Sequence, residues 1–504
     1  MSDIAHTYSR LPDGKSSLFW LAMAGSLVIL FIHSWQVREY QLDDALIYLR
    51  YIRNFIEGNG LVYNKGEHFN GLTSPLYTYL MLLVGQLFSS LQISSVVFST
   101  TCMASALVIL GLYFREQQHS WTMALTGMFC VATPYFYSTY GMETPLFMLL
   151  VAVSLYLYQK EHYFALGIVA ALLLLTRAEG IFLLIALLFE HVLTKRKLPT
   201  WRILPLPALI LVAHYTFNKY YFGEFLPQTG WAKIWQGQSG LWGDKHPLFL
   251  HAAYLHYWFF GGKWWLLLGM ISTALVGAFA QARKNRPIIV FLFLYLLFFC
   301  LLDIPNYNWY YAPFFLFLPY FSGIGLLATW RRLVERNAAV SKSVAVPVLG
   351  SLIAATLLFI LIAMPPVTSM SPNGGKYSDS YKGIGRWLQM NTAPTDKIAM
   401  VEIGTVGYYS DRYIIDILGL VNPYNAELIG KRDFDKWLEY YQPDYFLVHQ
   451  PFWNKEISVE HLVGKGEMYV RADFNFPGYA LLCRKSSANC VGPITLKPPK
   501  NKPS

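Results

Sequence analysis

Long apolar runs separated by short charged clusters occupy most of the first 365 residues. Runs matching the roughly 17–25 residues of a membrane helix fall at 18–35, 94–113, 120–138, 203–219, 264–281, 287–303, 311–330 and 344–364. Shorter ones lie at 144–158, 163–176 and 179–193. The clusters between them are basic: Arg115; Lys160; Lys195-Arg196-Lys197 with Arg202; Arg283-Lys284 with Arg286; and Arg331-Arg332 with Arg336 and Lys342. The positive-inside rule assigns all of them to the cytoplasm, and they agree only if the apolar segment 76–88 does not cross. That segment is therefore expected to be an interfacial helix, leaving about eleven crossings with the N-terminus inside. Residues 36–93, 134–143, 177–179, 220–263, 303–310 and everything after about 366 then share the outer face.

The outer stretch beginning Gln41-Leu42-Asp43-Asp44 places two adjacent acids where the first span emerges. Behind them Ala45, Leu49, Ile52 and Ile56 recur at helical spacing, with Arg50, Arg53, Asn54 and Glu57 on the other face. This is an amphipathic helix expected to lie in the membrane interface. Gly58-Asn59-Gly60 ends it, and Thr73-Ser74-Pro75 restarts a helix, with Ser74 as cap and Pro75 in the first turn. An Asp pair at a helix start reads two ways, as a dipole-complementing cap or as the polar centre of a site.

Further candidates cluster on the same face. Glu143, in Gly141-Met142-Glu143-Thr144-Pro145, is either a helix N-terminal acid or a group awaiting a cation, a metal or water. Thr176-Arg177-Ala178-Glu179-Gly180 breaks an apolar run; Arg177 either neutralises Glu179 internally or holds a phosphate, for which the guanidinium is suited. The aromatic loop after 203–219 offers Lys219, Lys233 and His246 as weaker phosphate or acceptor candidates. The turn 303–313 carries Asn306, Tyr307, Asn308 and Tyr310, rings and amides fitted either to an interfacial aromatic belt or to a sugar.

After the last span charge returns and apolar runs shorten. A helix over 378–390 and strands over 397–403, 413–418 and 445–449 predict a small extracytoplasmic α/β domain, 366–490, followed by a disordered Pro- and Lys-rich tail, 491–504. A Cys483–Cys490 disulfide is compatible with that compartment. Cys102, Cys130 and Cys300 lie in apolar runs as packing residues, and no spacing resembles a zinc site.

Composition sharpens the class. Of 504 residues 55% are hydrophobic and only 14% charged, against roughly a quarter in soluble domains, so a polytopic helical membrane protein is expected. The net charge of +10 resides in topology-setting clusters, which removes the case for nucleic acid. No small-residue cleavage site follows 18–35, so this segment reads as a retained anchor.

The Asp-Asp opening a large outer loop, Tyr48-Leu49-Arg50-Tyr51-Ile52-Arg53-Asn54 running into Glu57-Gly58-Asn59-Gly60, and the Thr73-Ser74-Pro75 restart together resemble the GT-C superfamily of integral-membrane glycosyltransferases. The chain is most similar to its AftB-like, arabinofuranosyltransferase-related group, which includes proteins called LphB. The blocks around Glu143 and Arg177, and Gly407-Tyr408-Tyr409-Ser410-Asp411-Arg412 with Asp416 and Gly419-Leu420, look like recurring blocks of that group. Where this chain has Ala178 the group writes Pro.

The resemblance implies a transmembrane catalytic module, 1–365, that moves a sugar from a polyprenyl-phosphate donor to a glycan or lipid acceptor, with inversion. It implies Asp43 or Asp44 as general base, while the residues themselves offer Arg177 and Lys219 to the donor phosphate. Glu143, Glu179, Asn306 and Tyr310 would support the sugar or a metal. Some members use a divalent metal and others do not, so the cofactor stays open. The implied setting is a bacterial inner membrane with the site outside. The rival reading is a polyprenyl-lipid flippase or transporter, which places its ionisable residues near mid-membrane instead.

Overall fold

The computed structural model describes residues 16–40, 42–88, 90–116, 120–243, 246–252, 264–336, 378–433, 435–456, 462, 468–484 and 490–491. The apolar run 344–364 and residues 492–504 of the tail lie outside the described residues, while the tail's first residue, 491, is paired in a strand. The N-terminal part is helical: α1 Ser16–Gln36, α2 Asp43–Ile56, α3 Pro75–Val84, α4 Leu91–Glu116, α5 Ser120–Ala132, α6 Thr144–Gln159, α7 Tyr163–Thr176 and α8 Ile181–Lys195. It continues with α9 Pro205–Phe222, α10 Thr229–Gln238, α11 Leu248–Ala252, α12 Trp264–Ala280, α13 Arg286–Leu302 and α14 Ala312–Arg336.

Among the described residues three helical stretches, Phe19–Gln36, Leu91–Arg115 and Asn308–Trp330, are long and apolar enough to cross a membrane. Five shorter apolar helices of 10–17 residues reach only about 15–26 Å at 1.5 Å per residue, under the roughly 30 Å of hydrocarbon. Helix length alone therefore gives fewer clear spans than the expected eleven. The 76–88 segment ends as a helix at Val84, and its ten residues are too few to cross.

Small residues let α12 and α14 approach closely. A Cβ on Gly277 would fall 1.9 Å from the Phe321 carbonyl oxygen, and one on Gly325 equally close to that of Thr273. This is the small-residue contact that membrane helices use where lipid offers no hydrophobic drive. Residues 134–143, expected as an outer loop, are buried throughout. Ser99 Oγ accepts the Gly141 N–H, Tyr77 OH donates to the Gly141 carbonyl, and Tyr135 stacks on Phe315. The segment packs as part of the core because its backbone and aromatic rings find partners on neighbouring helices.

The C-terminal part begins with α15 Ser378–Asn391 and alternates β1 Lys397–Met400, α16 Thr405–Ser410, β2 Tyr413–Asp416, α17 Pro423–Gly430, α18 Lys436–Tyr441 and β3 Tyr445–His449. It closes with β4 Met468–Arg471, β5 Tyr479–Arg484 and β6 Cys490–Val491. The sheet order is β2-β1-β3-β5-β4-β6. β1 runs parallel to both β2 and β3, and the remaining pairs are antiparallel. The three predicted strands and the predicted helix are present within a few residues; β4, β5 and β6 were not foreseen. Cys483 and Cys490 form a disulfide.

The polar face of α2 does not lie against headgroups. Arg50 donates to the carbonyls of Gly407 (2.7 Å) and Arg412 (2.6 Å), and Arg53 to that of Tyr408 (2.7 Å). Asn64 Oδ1 accepts the Ile414 N–H at 3.0 Å while its amide donates to the Ile414 carbonyl at 2.9 Å, closing the free edge of β2. One apolar core runs through α2, the bundle, Ile384, Ile398 and Val406. The sheet is thus docked on the polar side of the helix that opens with Asp43 and Asp44.

Candidate active site

Asp43 and Asp44 are the first two residues of α2, and their surroundings differ. Asp43 Oδ2 accepts the Gly404 N–H at 3.0 Å and Oδ1 that of Thr405 at 2.7 Å, so both oxygens hold the start of α16. A Cβ at Gly404 would meet the Asp43 carbonyl at 1.8 Å, which keeps that approach open only to glycine. Burial raises the Asp43 carboxyl above its usual range, while these two N–H groups lower it. No side-chain hydrogen bond engages Asp44 among the described residues. Its carboxyl is pushed up to about 6 by burial; Lys233 pulls it down, and Asp43, Glu143 and Asp416 push it up.

Lys233 comes from α10. Gln228 N donates to the Asn70 carbonyl at the start of this helix, and Gln236 donates to the Leu418 carbonyl near its end. The Lys233 ammonium is buried without a hydrogen-bond partner, 3.9 Å from the centre of the Tyr307 ring. The Lys455 ammonium lies 3.8 Å from the Trp242 ring. A buried ammonium needs compensation; for Lys233 this comes from a ring face and the charge of Asp44.

Arg177 is occupied differently. It donates to Glu143 and to Glu179, each at 2.8 Å, and lies 5.2 Å from the Tyr310 ring. Its side chain is 6% exposed, so two carboxylates neutralise one buried cation. Glu143 Oε2 and Arg177 Nε remain buried without partners. The sequence therefore brought Glu143, Arg177, Glu179 and Tyr310 together, but as a closed ion cluster rather than an open phosphate cradle. This cluster lies within electrostatic reach of Asp44 through Glu143.

Lys219 is misplaced in the sequence reading. Its ammonium donates to the Gly223 carbonyl at 2.7 Å on the exposed end of its own helix, where a basic residue satisfies a terminal carbonyl. His246 bonds Asp303, and Asn308 donates to Ser138 Oγ at 3.0 Å. Asn306 hydrogen-bonds the Tyr311 hydroxyl and leaves its Oδ1 buried without a partner.

Two residues not foreseen complete the cluster. Glu402 follows β1, and Lys455 lies in the connection after β3. Burial pushes the Glu402 carboxyl up to about 8, with Asp43 and Asp44 adding to the rise and Lys455 opposing it. Asp416 closes β2 and His449 closes β3. In parallel sheets ligands bind outside the carboxyl ends of the strands, and an acid in the last residues of the predicted strand 397–403 is the signal that could have found Glu402, which lies two residues beyond the end of β1. Among the described residues no group of three or more His, Cys, Asp or Glu is placed to hold a metal ion. The Asp43 oxygens are taken by backbone N–H groups, so this donor set does not fit a divalent ion.

The fold defines the class: this is an integral membrane protein that shares its architecture with solved membrane proteins. It superposes on ArnT from Cupriavidus metallidurans, solved with undecaprenyl phosphate, with a TM-score of 0.55 at 14% identity, over 95% of this chain and 100% of that one. In sequence the chain is similar to arabinofuranosyltransferases over short stretches. It is 36% identical over 93 residues to a terminal beta-(1->2)-arabinofuranosyltransferase of Mycobacterium tuberculosis, covering 18% of this chain and 14% of that protein. Against the protein of the same name from Corynebacterium glutamicum it is 26% identical over 141 residues, 27% of this chain and 20% of that one. The matched stretch thus spans a fifth or less of each relative's length. A family described as a domain of unknown function (DUF8728) matches residues 371–487, the sheet-bearing part.

Proposed function

We propose that the chain is a membrane glycosyltransferase that takes a sugar from a polyprenyl-phosphate donor and places it on a glycan or lipid acceptor at the outer face, with inversion. The observation that carries this reading is the pairing of an unengaged acid, Asp44, with an unpartnered buried ammonium, Lys233. Asp44 takes the proton of the acceptor hydroxyl as its oxygen attacks the anomeric carbon, an assistance worth about 10²–10⁴-fold. The bond from that carbon to the phosphate oxygen breaks, and polyprenyl phosphate leaves with the electron pair. Lys233 meets the charge that develops on it, in a site where water does not screen it.

Asp43 is then a positioning residue, holding Gly404 and Thr405, and Arg177 a structural cation that pairs with Glu143 and Glu179 and orders them. The N-terminus is cytoplasmic and the sheet-bearing part, 366–490, extracytoplasmic, as the basic clusters require. A bacterial inner membrane supplies such donors. The polyprenyl phosphate on the ArnT structure and the arabinofuranosyl specificity in the relatives' names select the first probe.

Proteoliposomes given polyprenyl-phosphate arabinofuranose with a radiolabelled sugar, plus an envelope glycan extract, test this. Label passing to the extract with release of polyprenyl phosphate is the expected result. Movement of intact labelled lipid between leaflets, with no transfer, would establish the flippase instead.

A further inference from the structure

The carboxyl ends of β2, β1 and β3 form an edge that the donor does not need. The expected donor cation, Lys233, sits with Tyr307 in the turn between α13 and α14, beside apolar helices where a prenyl tail has its hydrocarbon. Beyond Tyr307 the side chains belong to another wall. Trp242, from the loop after α10, packs against the sheet's own core. The Lys455 ammonium lies 3.8 Å from the Trp242 ring and 5.9 Å from that of Trp453. Trp453 remains 38% exposed, with one face stacked on His449 at 3.6 Å. His449 is itself fixed by Glu456 at 2.8 Å, and Glu402 lies within electrostatic reach of both Lys455 and the acid pair.

Resting on the glycosyltransferase reading, we propose that Trp242, Trp453, Lys455 and Glu402 form the acceptor subsite, binding an uncharged glycan and directing its terminal hydroxyl to Asp44. The chemistry selects a polyol over a second anion. Carboxyl groups, Asp43, Asp44, Glu402 and Glu456, outnumber the cations Lys233 and Lys455 here, so a phosphate or carboxylate would find few charges to pair with. A sugar meets none: hydroxyls donate to Glu402 and accept from Lys455, and indole faces cover its C–H surface. Both walls are needed, one from the helical loop and one from the sheet. This gives the docked sheet a role in catalysis through the substrate it holds.

Full-length protein in nanodiscs, wild type and the variants Trp453→Ala, Trp453→Phe and Lys455→Gln, provides the test on two readouts: binding to an array of envelope oligosaccharides, and transfer kinetics with donor and acceptor varied separately. The expected result is loss of array binding and a rise in acceptor KM of about three- to tenfold in Trp453→Ala and Lys455→Gln. Donor KM is unchanged, and Trp453→Phe retains most of the binding. Lys455→Gln keeps the test valid if Trp453→Ala does not fold. Transfer with unchanged acceptor KM in both variants overturns the subsite and leaves the enzyme standing. Array binding that depends on Trp453 without any transfer in wild type overturns the enzyme and leaves the subsite, while equal rises in donor and acceptor KM assign these residues to general packing.

Discussion

Thr405 donates its backbone N–H to Asp43 Oδ1 at 2.7 Å, and this bond commits the first of two adjacent acids to architecture. Asp44, one residue on, is left with charge and no hydrogen bond. The two should therefore fail differently. Asp44→Asn is expected to lower kcat by about 10²–10⁴-fold with an unchanged unfolding temperature. Asp43→Asn is expected to destabilise by about 1–2 kcal/mol, because one oxygen that caps α16 becomes a donor facing a donor. Thermal unfolding and turnover measured on the same preparations check both. Loss of turnover without loss of stability in Asp43→Asn would return Asp43 to the chemistry.

The alternation of apolar and basic segments made the helical class legible, and the short β-rich runs after 390 made three of six strands legible. The remainder depended on what each element meets. Arg50, Arg53 and Asn54 have the pattern of a solvated helix face, and periodicity cannot distinguish water from a docked sheet as the partner of such a face. Asp43 and Arg177 were visible as charges; that one is spent on backbone N–H groups and the other on two carboxylates is a three-dimensional fact. Glu402 was obscured for the opposite reason, being a single charge within an ordinary-looking strand segment, and Lys233 was visible only as one of three unranked candidates in an aromatic loop. Lys219, on the same helix-to-loop passage as Lys233, had the same local appearance and points only to its own helix end.

The pH dependence follows from Asp44. A general base must be deprotonated, so kcat/KM should fall about tenfold per unit below the Asp44 pKa, which stands at about 6. The groups facing it are Lys233, which lowers this value, and Asp43, Glu143 and Asp416, which raise it. Lys233→Gln removes the lowering charge, so the acid limb should move to higher pH as well as losing amplitude. A pH profile of kcat/KM for both proteins decides the matter; a limb that stays in place in Lys233→Gln would separate the two residues.

Arg50 tests the docking. Its guanidinium is buried, makes no salt bridge among the described residues, and satisfies the carbonyls of Tyr63, Gly407 and Arg412. Arg50→Met keeps much of the volume but leaves buried carbonyls unpaired, at about 1–3 kcal/mol each. Unfolding should shift down by several degrees, and turnover should fall with the loss of ordered α16 contacts. Arg50→Lys, with a point charge in place of a planar fork, should fall between the two.

Arg177 and Lys233 are both buried cations of this cluster, and a pair of variants distinguishes what each does. Removing Arg177 alone leaves Glu143, 3% exposed, beside Glu179 with no counter-charge. Arg177→Met should therefore cost about 3–5 kcal/mol, and adding Glu143→Gln should restore much of it, since the double change removes both members of a buried pair. Donor and acceptor KM should move together in Arg177→Met, because the ion cluster supports the site as a whole. Lys233 has no such partner to orphan. Lys233→Gln should leave stability nearly intact and raise donor KM selectively, by about tenfold or more for a lost charge-assisted contact to phosphate. If the selective donor defect appears in Arg177→Met instead, the ion cluster opens during the cycle and the phosphate belongs to Arg177.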